Sequence, residues 1–110
     1  MTKIRFTSKP EQKIKSEIKQ YLNSKGIYWC PTKGTAGTRG GDADLVICYR
    51  GFFIGVEGKT DVGRQHGQQP ERQEQIERND GYYIIARSVA DVVAVLKEID
   101  LNIAKLEDMI

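Results

Sequence analysis

Asp44, Glu57 and Lys59 are the residues of this chain whose types and spacing can do chemistry together. They stand near the two ends of one stretch, Gly40 to Lys59, which reads G-G-D-A-D-L-V-I-C-Y-R-G-F-F-I-G-V-E-G-K. Two carboxylates brought together repel each other and lose hydration, and a hard divalent cation with oxygen ligands is the usual remedy. Held by Asp44 and Glu57, with the Gly58 carbonyl nearby, such an ion would lower the pKa of a bound water and offset charge on a phosphodiester. Lys59 would orient that water or stabilise the charge that develops during cleavage. Taken alone, D…E-x-K is an unspecific pattern that also describes two exposed acids and a lysine on a solvated strand end.

The elements that must position these groups are legible on either side. Two apolar runs, Leu45 to Tyr49 and Phe52 to Val56, flank Arg50-Gly51, the pattern of two antiparallel strands joined by a tight turn. Side chains alternate across a strand, so Glu57 and Lys59 share a face with Phe53 and Gly55, while Ile54 and Val56 point the other way. A hairpin closing at Arg50-Gly51 predicts Asp44 and Glu57 as cross-strand neighbours. Asp42 is the rival acid, on the same face as Asp44 if the strand has begun, but only Asp44 leads directly into the apolar run.

Upstream, Ser8-Lys9-Pro10-Glu11 fits a capping box. Ile14, Ile18, Tyr21 and Leu22 then follow at helical spacing, with Lys13, Lys15 and Lys19 expected in solvent and an end near Lys25-Gly26. Ile27 to Cys30 reads as a short first strand. Pro31 to Gly41 is an open loop with four glycines, three threonines, Lys33 and Arg39, a composition suited to cradling a DNA backbone. Downstream, Thr60 to Gln68 is polar and holds Arg64 and the lone histidine, His66, which without a second His or Cys is not a zinc site. Pro70 starts a polar helix, Asn79-Asp80-Gly81 signals a turn, and Tyr82 to Ala86 reads as a buried strand. Ser88 and Asp91 cap a helix with an apolar stripe of Val89, Val92, Val93, Leu96 and Ile99. Leu101, Ile103, Leu106 and Ile110 suggest a second, weak helix and a dimer contact.

The resulting order is α-β-β-β-α-β-α, an α/β (mixed α+β) fold with a mixed sheet flanked by helices, whose strand order the pattern does not reveal. At 110 residues, 39% hydrophobic and 29% charged, the chain reads as one domain over 1–110 with a modest core. No apolar run approaches the roughly 20 residues that span a bilayer, and no signal-peptide core is visible, so a cytoplasmic location with no membrane contact is expected. Cys30 and Cys48 lie in apolar runs without metal-ligand spacing and are expected as buried free thiols. A net charge of +2 does not announce nucleic-acid binding, so a basic footprint must come from local clusters such as Lys25 to Arg39.

The pieces in their order resemble the virus-type replication-repair nuclease (VRR-NUC) family of the PD-(D/E)xK superfamily, from roughly Glu11 to Leu96. The residues that carry the resemblance are the early helical Glu11, Gly40-Gly41-Asp42-Ala43-Asp44-Leu45, Glu57-Gly58-Lys59, Gln69, and Ala86-Arg87-Ser88-Val89-Ala90-Asp91. Two positions depart from it. Ala43 stands where the family usually has Pro, and Gly58 where a β-branched residue is commoner. The resemblance implies a restriction-endonuclease-like core and a Mg²⁺- or Mn²⁺-dependent DNA endonuclease, with no organic cofactor.

In that reading Asp44, Glu57, the Gly58 carbonyl and Glu11 hold the metal, Glu11 doubling as a helix cap, and Glu17 is the weaker candidate. Lys59 and a helical glutamine handle the water; an ungapped count favours Gln69, with Gln73 one turn further along. Lys33, Arg39 and Arg64 would grip the DNA. The resemblance further implies branched substrates such as Holliday junctions, a homodimer to cut two symmetric strands, and a phage or other viral source, placing the protein in the host cytoplasm. The alternative is a DNA-binding or assembly module that keeps the fold and does not cut. A restriction-type enzyme would need more chain to read bases.

Overall fold

The computed structural model describes residues 11–32, 43–60 and 69–110. Their elements are α1 (Glu11–Ser24), β1 (Tyr28–Pro31), β2 (Leu45–Tyr49), β3 (Phe52–Gly58), α2 (Gln69–Arg78), β4 (Tyr82–Ala86) and α3 (Val89–Asp108), in the expected order. The strands form one mixed sheet, β1-β2-β3-β4, antiparallel except for the parallel pairing of β3 with β4. A parallel pair needs a crossover, and α2 lies in it.

Local chemistry sets these boundaries. Ile14, Ile18 and Leu22 recur every four residues and give α1 one buried stripe. Gly26, at φ +68°, turns the chain out of the helix, and the Ile27 N–H then donates to the Leu22 carbonyl at 2.9 Å. Arg50 and Gly51 both have positive φ (52° and 88°), the two-residue turn whose twist matches that of the strands it joins. Because side chains alternate, Leu45, Ile47, Ile54, Val56 and Ala86 share one face of the sheet. They form the core with the α1 stripe and with Val92, Val95, Leu96 and Ile99 of α3.

The opposite face is only partly covered. Ile76 of α2 reaches Gly55, where a β-carbon would stand 3.5 Å from Ile76 Cδ1, 3.2 Å from the Tyr83 ring and 3.3 Å from Ala43 Cβ. Among the described residues that face is open from β1 to the start of β3, with Tyr28 65% and Phe53 48% exposed. This corrects the expectation for the cysteines. Both are free thiols, but they point to the partly covered face, so Cys48 is exposed and Cys30 half-buried.

Three further expectations change. α3 is one continuous 20-residue helix, because no Gly or Pro interrupts Val89–Asp108. Its end carries Leu101, Leu106, Met109 and Ile110 in the open, while Ile103 packs on the core. Ser88 stands at the N-cap but its side chain makes no capping bond; Asp91 instead accepts from the Arg87 N–H at 2.8 Å. Of the α1 lysines expected in solvent, Lys13 is exposed, but Lys19 lies over the Trp29 ring at 5.4 Å and Lys15 turns inward.

Arg50 in the β2–β3 turn pairs with Asp100 of α3 at 2.9 Å, and the Tyr49 hydroxyl donates to the same carboxylate at 3.0 Å. The Arg50 guanidinium holds the Asp100 pKa below its ordinary value. A depressed carboxylate pKa contributes stability that is present above the unfolded-state pKa and lost as pH falls through the folded one. Asp100→Asn is therefore expected to lower Tm slightly at neutral pH, the difference from the parent closing as the buffer is taken below the ordinary carboxylate range. Gly55→Val is expected to cost about 1–3 kcal/mol by overpacking under α2. Cys48→Val, on the open part of the same face, should stay within about 0.5 kcal/mol in the same urea unfolding series.

Candidate active site

The last residues of β3 leave the apolar pattern of the strand and become its most polar buried segment. Ile54 and Val56 face the core, whereas Glu57 lies with Gly55 and Tyr83 on the α2 side. Glu57 is 2% exposed, Lys59 5% and Gln69 3%. The Lys59 ammonium is 3.6 Å from Glu57 Oε2, to which the Gln69 amide donates at 2.5 Å, and the Tyr83 hydroxyl donates to Oε1 at 3.3 Å. A buried carboxylate is tolerable only with such partners. Gln69, the first residue of α2, is thus the glutamine that meets Glu57, whereas Gln73 donates to Glu77 along its own helix at 3.1 Å.

Asp44 is reached from the other side of the sheet. Leu45 pairs with Val56, yet the Asp44 N–H also donates to the Val56 carbonyl at 2.9 Å, so Asp44 and Leu45 together oppose one residue of β3. That is the pattern of a β-bulge, which re-aims a side chain. The expectation that simple alternation makes Asp44 the direct cross-strand neighbour of Glu57 is corrected accordingly. Asp44 Oδ2 accepts from the Gly58 N–H at 2.8 Å, and Oδ1 lies 3.5 Å from the Lys15 ammonium of α1. Lys15 also approaches Glu11 Oε1 at 3.9 Å, which links that half-exposed carboxylate to the group. Consecutive residues of β3 therefore hold the two clusters together, Glu57 on one side and Gly58 on the other.

The segment carrying Lys59 is braced by the start of the β4–α3 connection. The Lys59 N–H donates to the Ala86 carbonyl at 3.0 Å, and the Arg87 guanidinium donates to the Thr60 carbonyl. On the other strand, the Thr32 hydroxyl donates to the Ala43 carbonyl just before Asp44. The A-R-S-V-A-D stretch thus acts as a clamp on the chain that leaves the candidate site.

Sequence reasoning missed Lys15 and Tyr83. Lys15 follows Ile14 by one position, where the helical period gave only a wet flank. Tyr83 was read as part of a buried strand, with nothing to mark its hydroxyl. Asp42, Lys33, Arg39, Arg64 and His66, with the Ser8-Lys9-Pro10 part of the capping box, lie outside the described residues.

Among the described residues, no three His, Cys, Asp or Glu side chains come together to cage a metal. The donors on offer are hard oxygens: Asp44, Glu57, the intervening Gly58 carbonyl and, through Lys15, Glu11. That set suits Mg²⁺ or Mn²⁺, since Mg²⁺ keeps several waters and binds through one or two carboxylates, and it does not suit a zinc cage.

The sheet is mixed and four-stranded with helices on both faces, and the E-x-K segment closes β3, one of its central strands. The particular fold is that of the VRR_NUC domain. A solved structure described as "VRR_NUC domain" superposes with a TM-score of 0.64 at 19% sequence identity, over 79% of this chain and 94% of its own. The resemblance read in the motifs is thus matched by the path of the backbone. No family model matches the sequence, and neither does any curated protein.

Removing the amide donor at Glu57 leaves a buried carboxylate short of a partner. Gln69→Leu is therefore expected to lower stability by about 1–3 kcal/mol. Gln73→Leu, which removes an exposed bond along its own helix, should cost clearly less by chemical denaturation. Equal losses would remove Gln69 from its assigned place.

Proposed function

We propose that this domain is a metal-dependent DNA endonuclease that hydrolyses phosphodiester bonds. The observation that carries the reading is the burial of Glu57 and Lys59 at the end of β3, beside Asp44 on the Gly58 N–H, in a VRR_NUC-like fold. Buried ion pairs are poor stabilising devices compared with apolar side chains of similar size. Their presence at the tip of a strand that is otherwise apolar is best accounted for by chemistry.

Asp44, Glu57 and the Gly58 carbonyl would hold Mg²⁺ or Mn²⁺, with Glu11 extending the set. When bound, the ion supplies a more acidic water and screens the phosphate charge. Lys59 stands beside Glu57, where its ammonium can hold a water against the carboxylate and meet charge as it develops on the phosphate oxygens. Gln69, donating to the same carboxylate oxygen, fixes the orientation of Glu57 and so of the acceptor that the lysine faces. Lys33, Arg39 and Arg64 are assigned to the DNA backbone, which makes binding sensitive to salt. Branched DNA of the Holliday-junction type is the proposed substrate, and a homodimer the form that would cut its two symmetric strands.

The test is cleavage of labelled four-way junction, splayed-arm, duplex and single-stranded DNA with Mg²⁺ or Mn²⁺, the chain being compared with Lys59→Ala. Metal-dependent cuts are expected, strongest on the junction, and at least about 100-fold slower in the variant. DNA that is bound but uncut at every metal concentration would replace this reading with that of a binding module.

A further inference from the structure

Lys15 has no counterpart among the residues assigned above. Its side chain is 18% exposed and that of Asp44 6%, and the two are 3.5 Å apart. The ammonium lies between Asp44 and Glu11, both of them candidate metal ligands, so it places a positive charge beside Asp44, where a divalent ion held by that carboxylate would also bring its charge. Two cations cannot share that position without strong repulsion, which partial burial screens less than water would.

The route by which Lys15 arrives is also built in. At Gly58, the middle residue of E-G-K, a β-carbon would stand 2.9 Å from Lys15 Cγ and 3.7 Å from its Cδ. The first distance is shorter than real β-carbon contacts allow, so any side chain there forces the lysine stem aside. The same β-carbon would be 3.7 Å from Asp44 Oδ2, an ordinary contact. The absence of a side chain at Gly58 therefore admits Lys15 and does little else to Asp44.

We infer that Lys15 is a tethered counter-cation that competes with the metal for Asp44, and that Gly58 is glycine because the lysine passes over it. This rests on the metal-dependent reading above. The lysine supports Asp44 in the metal-free protein and weakens the hold of Asp44 on a divalent ion, so the pair sets how much metal the site requires.

The experiment measures Mn²⁺ and Ca²⁺ binding by calorimetry and by the shift of Tm, without DNA. It compares the parent chain with Lys15→Met, Lys15→Ala, Gly58→Ala, the double variant Lys15→Ala/Gly58→Ala, and Asp44→Ala. Lys15→Met keeps the stem and removes the charge; it should melt lower without metal and bind metal at least about five-fold more tightly. Gly58→Ala keeps the charge and crowds the stem, and should also bind more tightly. In the double variant the alanine at 58 should add nothing to the effect of Lys15→Ala, which marks the two as one device. Asp44→Ala should abolish the shift.

If the parent binds metal through Asp44 but Lys15→Met and Gly58→Ala bind it equally or more weakly, the inference fails and the nuclease reading stands. If neither the parent nor any Lys15 variant binds metal, both fall. Should Lys15→Met not fold, Gly58→Ala decides by itself, because it leaves every charge in place.

Discussion

A glutamate and a lysine two residues apart can be buried at the end of a strand only if each charge meets a partner, and much of this fold answers that requirement. Among the described residues, Glu57 is met by Lys59 beyond its own strand, Gln69 at the start of α2 and Tyr83 of β4. Asp44 is met by the Gly58 backbone and by Lys15 of α1. Each element bordering the site thus delivers at least one polar group to it while the rest of its surface does ordinary work in the core or in solvent. The arrangement adds little to stability, since charges gain from burial only what their partners restore. It does hold acidic and basic groups in fixed positions where water is scarce, which is the condition under which such groups act strongly on a bound phosphate.

The sheet order is what makes this convergence geometrically simple. Parallel pairing puts the ends of β3 and β4 side by side, Gly58 opposite Ala86, so the chain leaving β4 can clamp the chain leaving β3. The Lys59–Ala86 and Arg87–Thr60 bonds form this clamp, and the Asp91 carboxylate on the Arg87 N–H anchors it to the first turn of α3. On the antiparallel side, the bulge at Asp44-Leu45 turns an acid that regular alternation would have placed opposite Glu57 towards Gly58 and α1 instead. The two carboxylates therefore stand on either side of the strand end with a peptide between them.

Much of the fold was legible in the sequence because the governing signals are local. The helical spacing of Ile14, Ile18 and Leu22 gave α1, and the Arg50-Gly51 turn with the apolar runs around it gave β2 and β3, whereas the second helix expected from Leu101 onward is a continuation of α3. Strand order was not legible, since it depends on which edges meet over long sequence separations. The polar pattern E-G-K pointed to Glu57 and Lys59, and the count along the chain to Gln69. The bulge escaped because it is a choice of hydrogen-bond partner with no residue signature of its own. Lys15 escaped because one position off an apolar stripe is normally solvent, and here the absent side chain of Gly58, on another element, decides otherwise. The cysteines were misjudged because apolar runs were taken to be covered on both faces, whereas among the described residues that face is covered by α2, which packs over β3 and β4 and not over β1.

α2 has a role that its composition conceals. Within this ten-residue polar helix only Gln69 is fully buried, and Ile76 is its apolar contact with the sheet. The core formed by α1, α3 and the other sheet face contains no α2 residue. Cooperative units attached so lightly open at free energies well below that of global unfolding. Gln69 therefore stays against Glu57 for as long as one helix remains docked, not for as long as the protein remains folded. Undocking of that helix would take the glutamine from the candidate site and leave the hydrophobic centre intact.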